Sequence, residues 1–221
     1  MSESPHTLVV APTRAEHQVI GRALSSELLN GQVHIGLLGV GPERATTFCQ
    51  RLDEQRWRGR LVLAGWAGGL LPHLRPGSVV LARAALSPTG PRCPCSVLPC
   101  SGAVAGDILT VDRALYTPGE KTRATQSGAV AVEMEAYPLA RWAQAHDLPF
   151  YHGRVILDAA DESLPDLSGI FAEDDRIRSL ELLRQLGRRP KLAWELASLA
   201  WRLQRLSPLL AGLARQLAVP R

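Results

Sequence analysis

Cysteine is scarce: the chain has four in 221 residues. Cys93, Cys95 and Cys100 share one proline-rich stretch with Cys49 far away, which excludes the spread framework of bridges that staples a small secreted domain. No His or further Cys stands near that cluster to complete four ligands, so free thiols and no metal site are expected there. No apolar run reaches the length of a membrane span. Residues 1–6 lack the basic start and apolar stretch of a secretory leader, and a cytoplasmic protein is the expectation. Aromatic residues make up only 5% of the chain. Its basic residues are laced with leucines rather than with rings on which bases stack, so no nucleic acid is expected as a partner.

What is present fits a globular domain: 46% of residues are hydrophobic and 21% charged, enough for a sizeable core. The formal charge of +4 is unevenly placed. From Leu182 onward Arg184, Arg188, Arg189, Lys191, Arg202, Arg205, Arg215 and Arg221 face Glu195 alone. The tail, not the body, is therefore the part that meets anything anionic.

The first two-thirds alternates short β-branched runs with helical patterns, the signature of an α/β sheet domain. Strands are expected at 7–11, 33–40, 60–65, 78–82, 129–132 and 150–157, and helices at 15–28, 42–55 and 136–145. Residues 86–106 carry so many prolines and glycines that they read as a long loop, a candidate cover for a substrate or a surface excursion. After Asp175 the pattern is helical and is cut into three pieces by Pro190 and Pro208. In the middle piece Leu192, Leu196, Leu199, Leu203 and Leu206 recur at helical spacing beside Trp194 and Trp201. Leu210, Leu213 and Leu217 continue the stripe in the last piece.

Three segments carry residues that structure alone does not require. Ala-Val-Glu-Met-Glu-Ala at 131–136 runs a small-residue strand into Glu133 and Glu135. Arg-Val-Ile-Leu-Asp-Ala-Ala-Asp at 154–161 ends an apolar strand on Asp158. Ligands collect at the carboxyl ends of strands in α/β sheets, so two such ends bearing acids suggest one site. The alternative for each acid alone is a helix cap. The third segment, Leu-Ala-Gly-Trp-Ala-Gly-Gly-Leu at 63–70, puts a Gly-rich turn after a strand and lets backbone approach a ligand closely.

The order and wording of these segments resemble the nucleoside phosphorylase and methylthioadenosine/S-adenosylhomocysteine nucleosidase superfamily. Gly65 to Val80 is similar to its Gly-Ser-Ala-Gly-Gly-Leu…Gly-Asp-Val-Val signature, residues 132–135 to its Val-Glu-Met-Glu motif, and residues 155–161 to its Ile-Ser-Asp-x-Ala-Asp motif. The likeness covers roughly residues 7–165. It implies a three-layer α/β/α fold with a mixed central sheet, a homodimer, a purine nucleoside as substrate and no cofactor. It also implies Asp158 as the acid that protonates or hydrogen-bonds purine N7, Glu135 as the ligand of the ribose hydroxyls, Met134 as packing under the sugar, and Glu133, Gly65, Trp66, Ala67 and Gly68 as further substrate-binding positions. Such roles suit the chemistry, because N-glycosidic cleavage develops negative charge on the base and oxocarbenium character on the ribose.

Two alignments of the N-terminal segment compete. In one, Glu16 is the general base that activates water; in the other, Arg14 grips phosphate as co-substrate. The further arginine and serine that such phosphorylases use are replaced here by Leu63 and Trp66, and a lone arginine is a thin site for a dianion, so water is favoured. Trp66 and Leu157 also replace serines of the nucleosidase pattern.

Beyond the catalytic stretch, placed at residues 1–187, residues 188–221 form an amphipathic basic helical extension. That extension resembles the hopanoid-associated branch of the superfamily, whose implied reaction releases adenine from adenosylhopane. A tail of this kind suits peripheral docking on the inner face of a membrane where a lipid-linked nucleoside resides, or packing on the domain.

Overall fold

The computed structural model describes residues 6–166 and 191–219. Its elements in chain order are strands β1 (Thr7–Ala11), β2 (Val33–Leu37), β3 (Arg60–Gly69), β4 (Val79–Leu86), β5 (Cys93–Pro94), β6 (Val104–Thr110), β7 (Ala131–Glu133) and β8 (Phe150–Asp158), with helices α1 (Arg14–Ala23), α2 (Ser25–Leu29), α3 (Pro42–Glu54), α4 (Pro118–Ala124), α5 (Ala136–Ala145) and α6 (Lys191–Ala218).

All eight strands join one mixed sheet. Strand β1 lies parallel to β2 and β3, and β3 runs parallel to β8. Beyond that the sheet curls: β8 pairs antiparallel with β4, β4 and β6 are parallel, β6 and β7 are parallel, and β7 returns antiparallel to the far end of β3. Ten-residue β3 thus belongs to two neighbourhoods, a flat half and a closed ring.

Side chains alternate across a strand with period two, and the core divides accordingly. Leu8 and Val10 of β1 with Leu61 and Leu63 of β3 pack against Phe48 and Leu52 of α3 and Leu139 and Trp142 of α5. Val9, Val62 and Ala64 face the other way, onto Ile20 of α1 and Leu210, Leu213 and Leu217 of α6. The result is three layers, helix, sheet and helix, with α6 in the second helical layer.

Several boundaries differ from the sequence expectation. Strand β2 stops at Leu37, and the expected helix 15–28 is two, broken at Leu24. Residues 86–106 are not one loop: β4 extends to Leu86, β5 pairs back onto it, and β6 begins at Val104. Gly106 reads as a breaker in sequence, yet in the strand it makes room for Val130, whose Cγ1 would sit 2.5 Å from any β-carbon there.

Pro208 does not cut the C-terminal helix, which runs 28 residues through it. A helix-interior proline costs about 3 kcal/mol, but this one faces outward, where water can serve the carbonyl left without a partner. Ser207 donates its hydroxyl to the Leu203 carbonyl (2.8 Å). Burial of Leu206, Leu210, Leu213 and Leu217, at about 1.5–3 kcal/mol for each such side chain, more than offsets the break. The first expected piece of the tail, and Pro190, lie outside the described residues. No described helix is long and apolar enough to cross a membrane.

Candidate functional site

Sheet register brings the three sequence segments together. Gly65 of β3 stands opposite Arg154 of β8, and Gly68 stands opposite Asp158 on one side and Val132 of β7 on the other. The ends of β3, β7 and β8 therefore open onto one cleft, and α1 closes it from the end of β1. The cavity has a volume of about 230 Å³. Glu16, Trp66, Ala67 and Gly68 line one part, and Glu133, Met134, Glu135, Arg154 and Asp158 another. Val40, Val111, Ala114, Leu115 and Leu164 give it apolar walls.

Each acid is positioned by local structure. Glu16 is the third residue of α1 and completes a capping box, its Oε2 accepting from the Thr13 amide (2.8 Å) and hydroxyl (2.6 Å). Its Oε1 accepts the Trp66 amide at 2.8 Å, so the capping residue is also a site residue. Glu133 accepts the amides of Glu135 and Ala136 (both 2.9 Å), the Thr110 hydroxyl and an Arg154 amine. With that many donors it caps α5 and has little capacity left for a ligand. Glu135 accepts from the Gly41 amide (3.1 Å) and from Nη2 of Arg154 (3.0 Å).

Arg154 organises the group. It is fully buried and donates from Nε to Nε2 of His152 (2.9 Å), from Nη1 to the Trp66 carbonyl (3.2 Å) and from Nη2 to both Glu133 and Glu135. Period two puts His152 and Arg154 on the same face of β8, and a register shift that skips Leu157 sets Asp158 opposite Gly68. A β-carbon at position 65 would fall against Oε1 of Glu16 and 2.5 Å from Nη1 of Arg154. Glycine is required there because a carboxylate and a guanidinium occupy the space.

Three carboxylates, Glu16, Glu133 and Glu135, thus share one guanidinium in a buried setting, where unpaired charge is expensive. Burial, opposed by Arg154 and reinforced by Glu133 and Glu16, pushes the Glu135 carboxyl up to about 8. Burial also raises Glu16, with Arg154 pulling the other way. His152 is driven well below its ordinary range by burial and Arg154, and stays neutral.

Asp158, 2% exposed, sits across the cleft with a different partner, the buried ammonium of Lys121 on α4. Burial raises its carboxyl and Lys121 draws it back.

Arg14 is not part of this arrangement. It is exposed on the first turn of α1 and does not line the cleft. Gly65 acts from behind, through Glu16 and Arg154, rather than by lining the cavity. None of residues 86–106 lines it either, so the expected substrate cover does not lie there; pairing of β5 with β4 and of Ser96 with Tyr151 carries that segment elsewhere. Among the described residues no group of three or more His, Cys, Asp or Glu is arranged to hold a metal ion, and all four cysteines are free thiols.

No family model and no curated protein sequence matches the chain. Solved structures do. A methylthioadenosine/S-adenosylhomocysteine nucleosidase from Neisseria meningitidis, bound to methylthio-immucillin-A, superposes with a TM-score of 0.63 at 20% identity, over 72% of this chain and 87% of its own. The Helicobacter pylori MTAN holding 5′-methylthioadenosine gives 0.62 at 16%, over 72% and 88%. Futalosine hydrolase of the same bacterium gives 0.61 at 16%, over 72% and 87%. The fold is the nucleosidase fold.

Within this nucleosidase fold, sequence reasoning assigned no role to Arg154, Lys121, Thr110 or Gly41. Arg154 had left a signal, a charge inside an otherwise apolar strand four positions before Asp158. Lys121 had left none: Thr117-Pro-Gly-Glu120 is the capping-box signature of a helix start, but nothing in that segment points to an acid far away in the chain.

Proposed function

We propose that the chain hydrolyses the N-glycosidic bond of a purine nucleoside, with adenine as the leaving base. The observation that carries this reading is the convergence of Glu16, Glu135 and Asp158 on one small cleft with apolar walls, in the fold of proteins that are nucleosidases by name. Asp158 gives a proton to purine N7 as the C1′–N9 bond breaks and its electron pair enters the base. Glu135 accepts the ribose hydroxyls, and Glu133 fixes the backbone that carries it by accepting its amide (2.9 Å). Glu16 takes a proton from the water that adds to C1′. Met134 packs under the sugar, with Trp66, Ala67 and Gly68 beside it. A positioned acid of this kind contributes about 10²-fold to 10⁴-fold in rate. The chemistry is acid and base chemistry and calls for no cofactor.

Water is favoured over phosphate as nucleophile because Arg14 is exposed away from the cleft and Arg154 already donates to two carboxylates. In the finer reading the 5′ substituent is apolar, as in adenosylhopane, and leaves past Val40, Val111, Ala114, Leu115 and Leu164. Residues 1–187 carry catalysis. Residues 188–217 meet an anionic membrane surface through Trp194 and Trp201, 79% and 60% exposed, and through Lys191 and Arg205. A homodimer is the expected working form.

The test is incubation with adenosine, methylthioadenosine and a 5′-lipidated adenosine, with and without phosphate, following adenine and ribose-1-phosphate. Free adenine independent of phosphate is expected, unchanged in Arg14→Ala. Phosphate dependence selects phosphorolysis, and no adenine from any substrate overturns the enzyme reading.

A further inference from the structure

Lys121 poses a question that packing does not answer. It is fully buried on α4, whose start is fixed by a capping box between Thr117 and Glu120. A buried ammonium costs several kcal/mol unless paired and hydrogen-bonded, and an apolar side chain of the same length would fill the space without that cost. Its ammonium is ion-paired with the Asp158 carboxylate and donates to the Ala159 carbonyl (2.6 Å) and the Glu162 carbonyl (2.8 Å). Every contact lies in the turn that begins with Asp158.

The other charges facing Asp158 come from two places. Glu162 follows it in the chain, and Arg202 reaches in from α6. These two pair with each other at 2.7 Å, so their effects on Asp158 largely cancel. Arg75 and Asp161 form a separate, exposed pair. Lys121 is left as the group that answers the charge of Asp158.

We propose that Lys121 is the positioning residue of the site: its ammonium anchors the Asp158 carboxyl facing the cleft and stabilises the carboxylate formed when the proton departs. The inference rests on the hydrolytic reading. The proton on Asp158 goes to the base and the proton of the attacking water goes to Glu16; solvent then returns a proton to Asp158 and takes one from Glu16. Two carbonyl contacts hold the ammonium in place, so its attraction is present before the substrate arrives and requires no reorganisation in the transition state.

The experiment titrates the ¹³C-labelled Asp158 side-chain carboxyl by NMR in the resting full-length protein, with Asp158→Asn to assign the signal, and follows adenine release against pH. Lys121→Gln removes the charge and keeps an amide able to donate to both carbonyls. Its Asp158 midpoint is expected to rise by about one to three pH units relative to wild type. The alkaline limb of adenine release moves up with it, and the plateau kcat falls by on the order of tenfold with little change in KM. A midpoint that stays in place overturns the proposal, as does a displaced midpoint with unchanged kcat. If wild type releases no adenine, the hydrolytic reading fails, while the NMR midpoint still decides whether Lys121 controls Asp158. Lys121→Met, of similar length, gives the same reading if the Gln variant does not fold.

Discussion

Replacing Arg154 by methionine should destabilise the protein in a way that depends on pH, and the structure sets the size. The guanidinium is buried, lies among Glu16, Glu133 and Glu135, and donates to His152 and the Trp66 carbonyl besides. Removing one partner of a buried ion pair costs about 3–5 kcal/mol because the other charge is left uncompensated. That is a large share of the roughly 5–15 kcal/mol by which a domain is stable. Here several carboxylates lose the same cation, so the upper end applies near pH 8.5, where Glu135 too is mostly ionised in the wild type. Near pH 5 the variant relieves itself by taking up protons, and the loss shrinks to that of unsatisfied hydrogen bonds, about 1–3 kcal/mol. Urea unfolding of wild type and variant at both pH values measures the difference. Equal losses at the two values would mean that Arg154 acts by packing, and the electrostatic account of the cluster would fail.

Three further outcomes follow from the same geometry. Gly65→Ala should push Glu16 and Arg154 apart and lower adenine release by about 10²-fold or more while the circular dichroism stays native; wild-type turnover would show that the close approach is not needed. The pH dependence of stability has a defined sign: the Glu135 carboxyl is raised from its ordinary value of 4.5 to about 8 on folding, so its contribution is fully present below the lower value and drains away as pH rises through the upper one. Melting temperature should therefore fall between these values, and Glu135→Gln should flatten the decline; an unchanged slope would assign it to other groups. Leu213→Ala on α6, at a residue 3% exposed in the core, should cost about 2–5 kcal/mol, and a loss under half a kcal/mol would mean that the helix does not support the sheet.

The α/β character was legible because β1, β3 and β8 each contain an apolar run and α3 and α5 keep a clear helical stripe. Strand β6 was not, since Gly106 and Asp107 interrupt its pattern for reasons that lie elsewhere: Val130 needs the space, and Asp107 pairs with Arg92. The curling of the sheet is equally invisible in sequence, because it depends on β3 being long enough to meet β8 along most of its length and β7 at its tip. At the site, Glu135 and Asp158 were readable as acids ending strands, and Glu16 as an acid in a first helical turn. Their partners were less so. Gly41, Thr110 and Lys121 are ordinary in their own segments and become informative only when register and packing bring them to an acid far away in the chain.

The C-terminal helix bears on the same turn from the outer side. Arg202 of α6 donates to the Leu157 carbonyl (3.1 Å) and to Glu162 Oε2 (2.7 Å), and that same oxygen accepts the Ala159 amide (3.1 Å). Lys121 holds the Ala159 and Glu162 carbonyls from within. Residues 157–162 are therefore clamped between one cation from α4 and one from α6, with Asp158 inside the clamp. Half of α6 is core to the second helical layer, so the helix can move little without moving that turn. Arg202→Ala tests the link between the helix and the candidate acid directly. Adenine release should fall while the melting temperature changes little, because the lost ion pair is partly exposed and such pairs contribute about 1 kcal/mol or less.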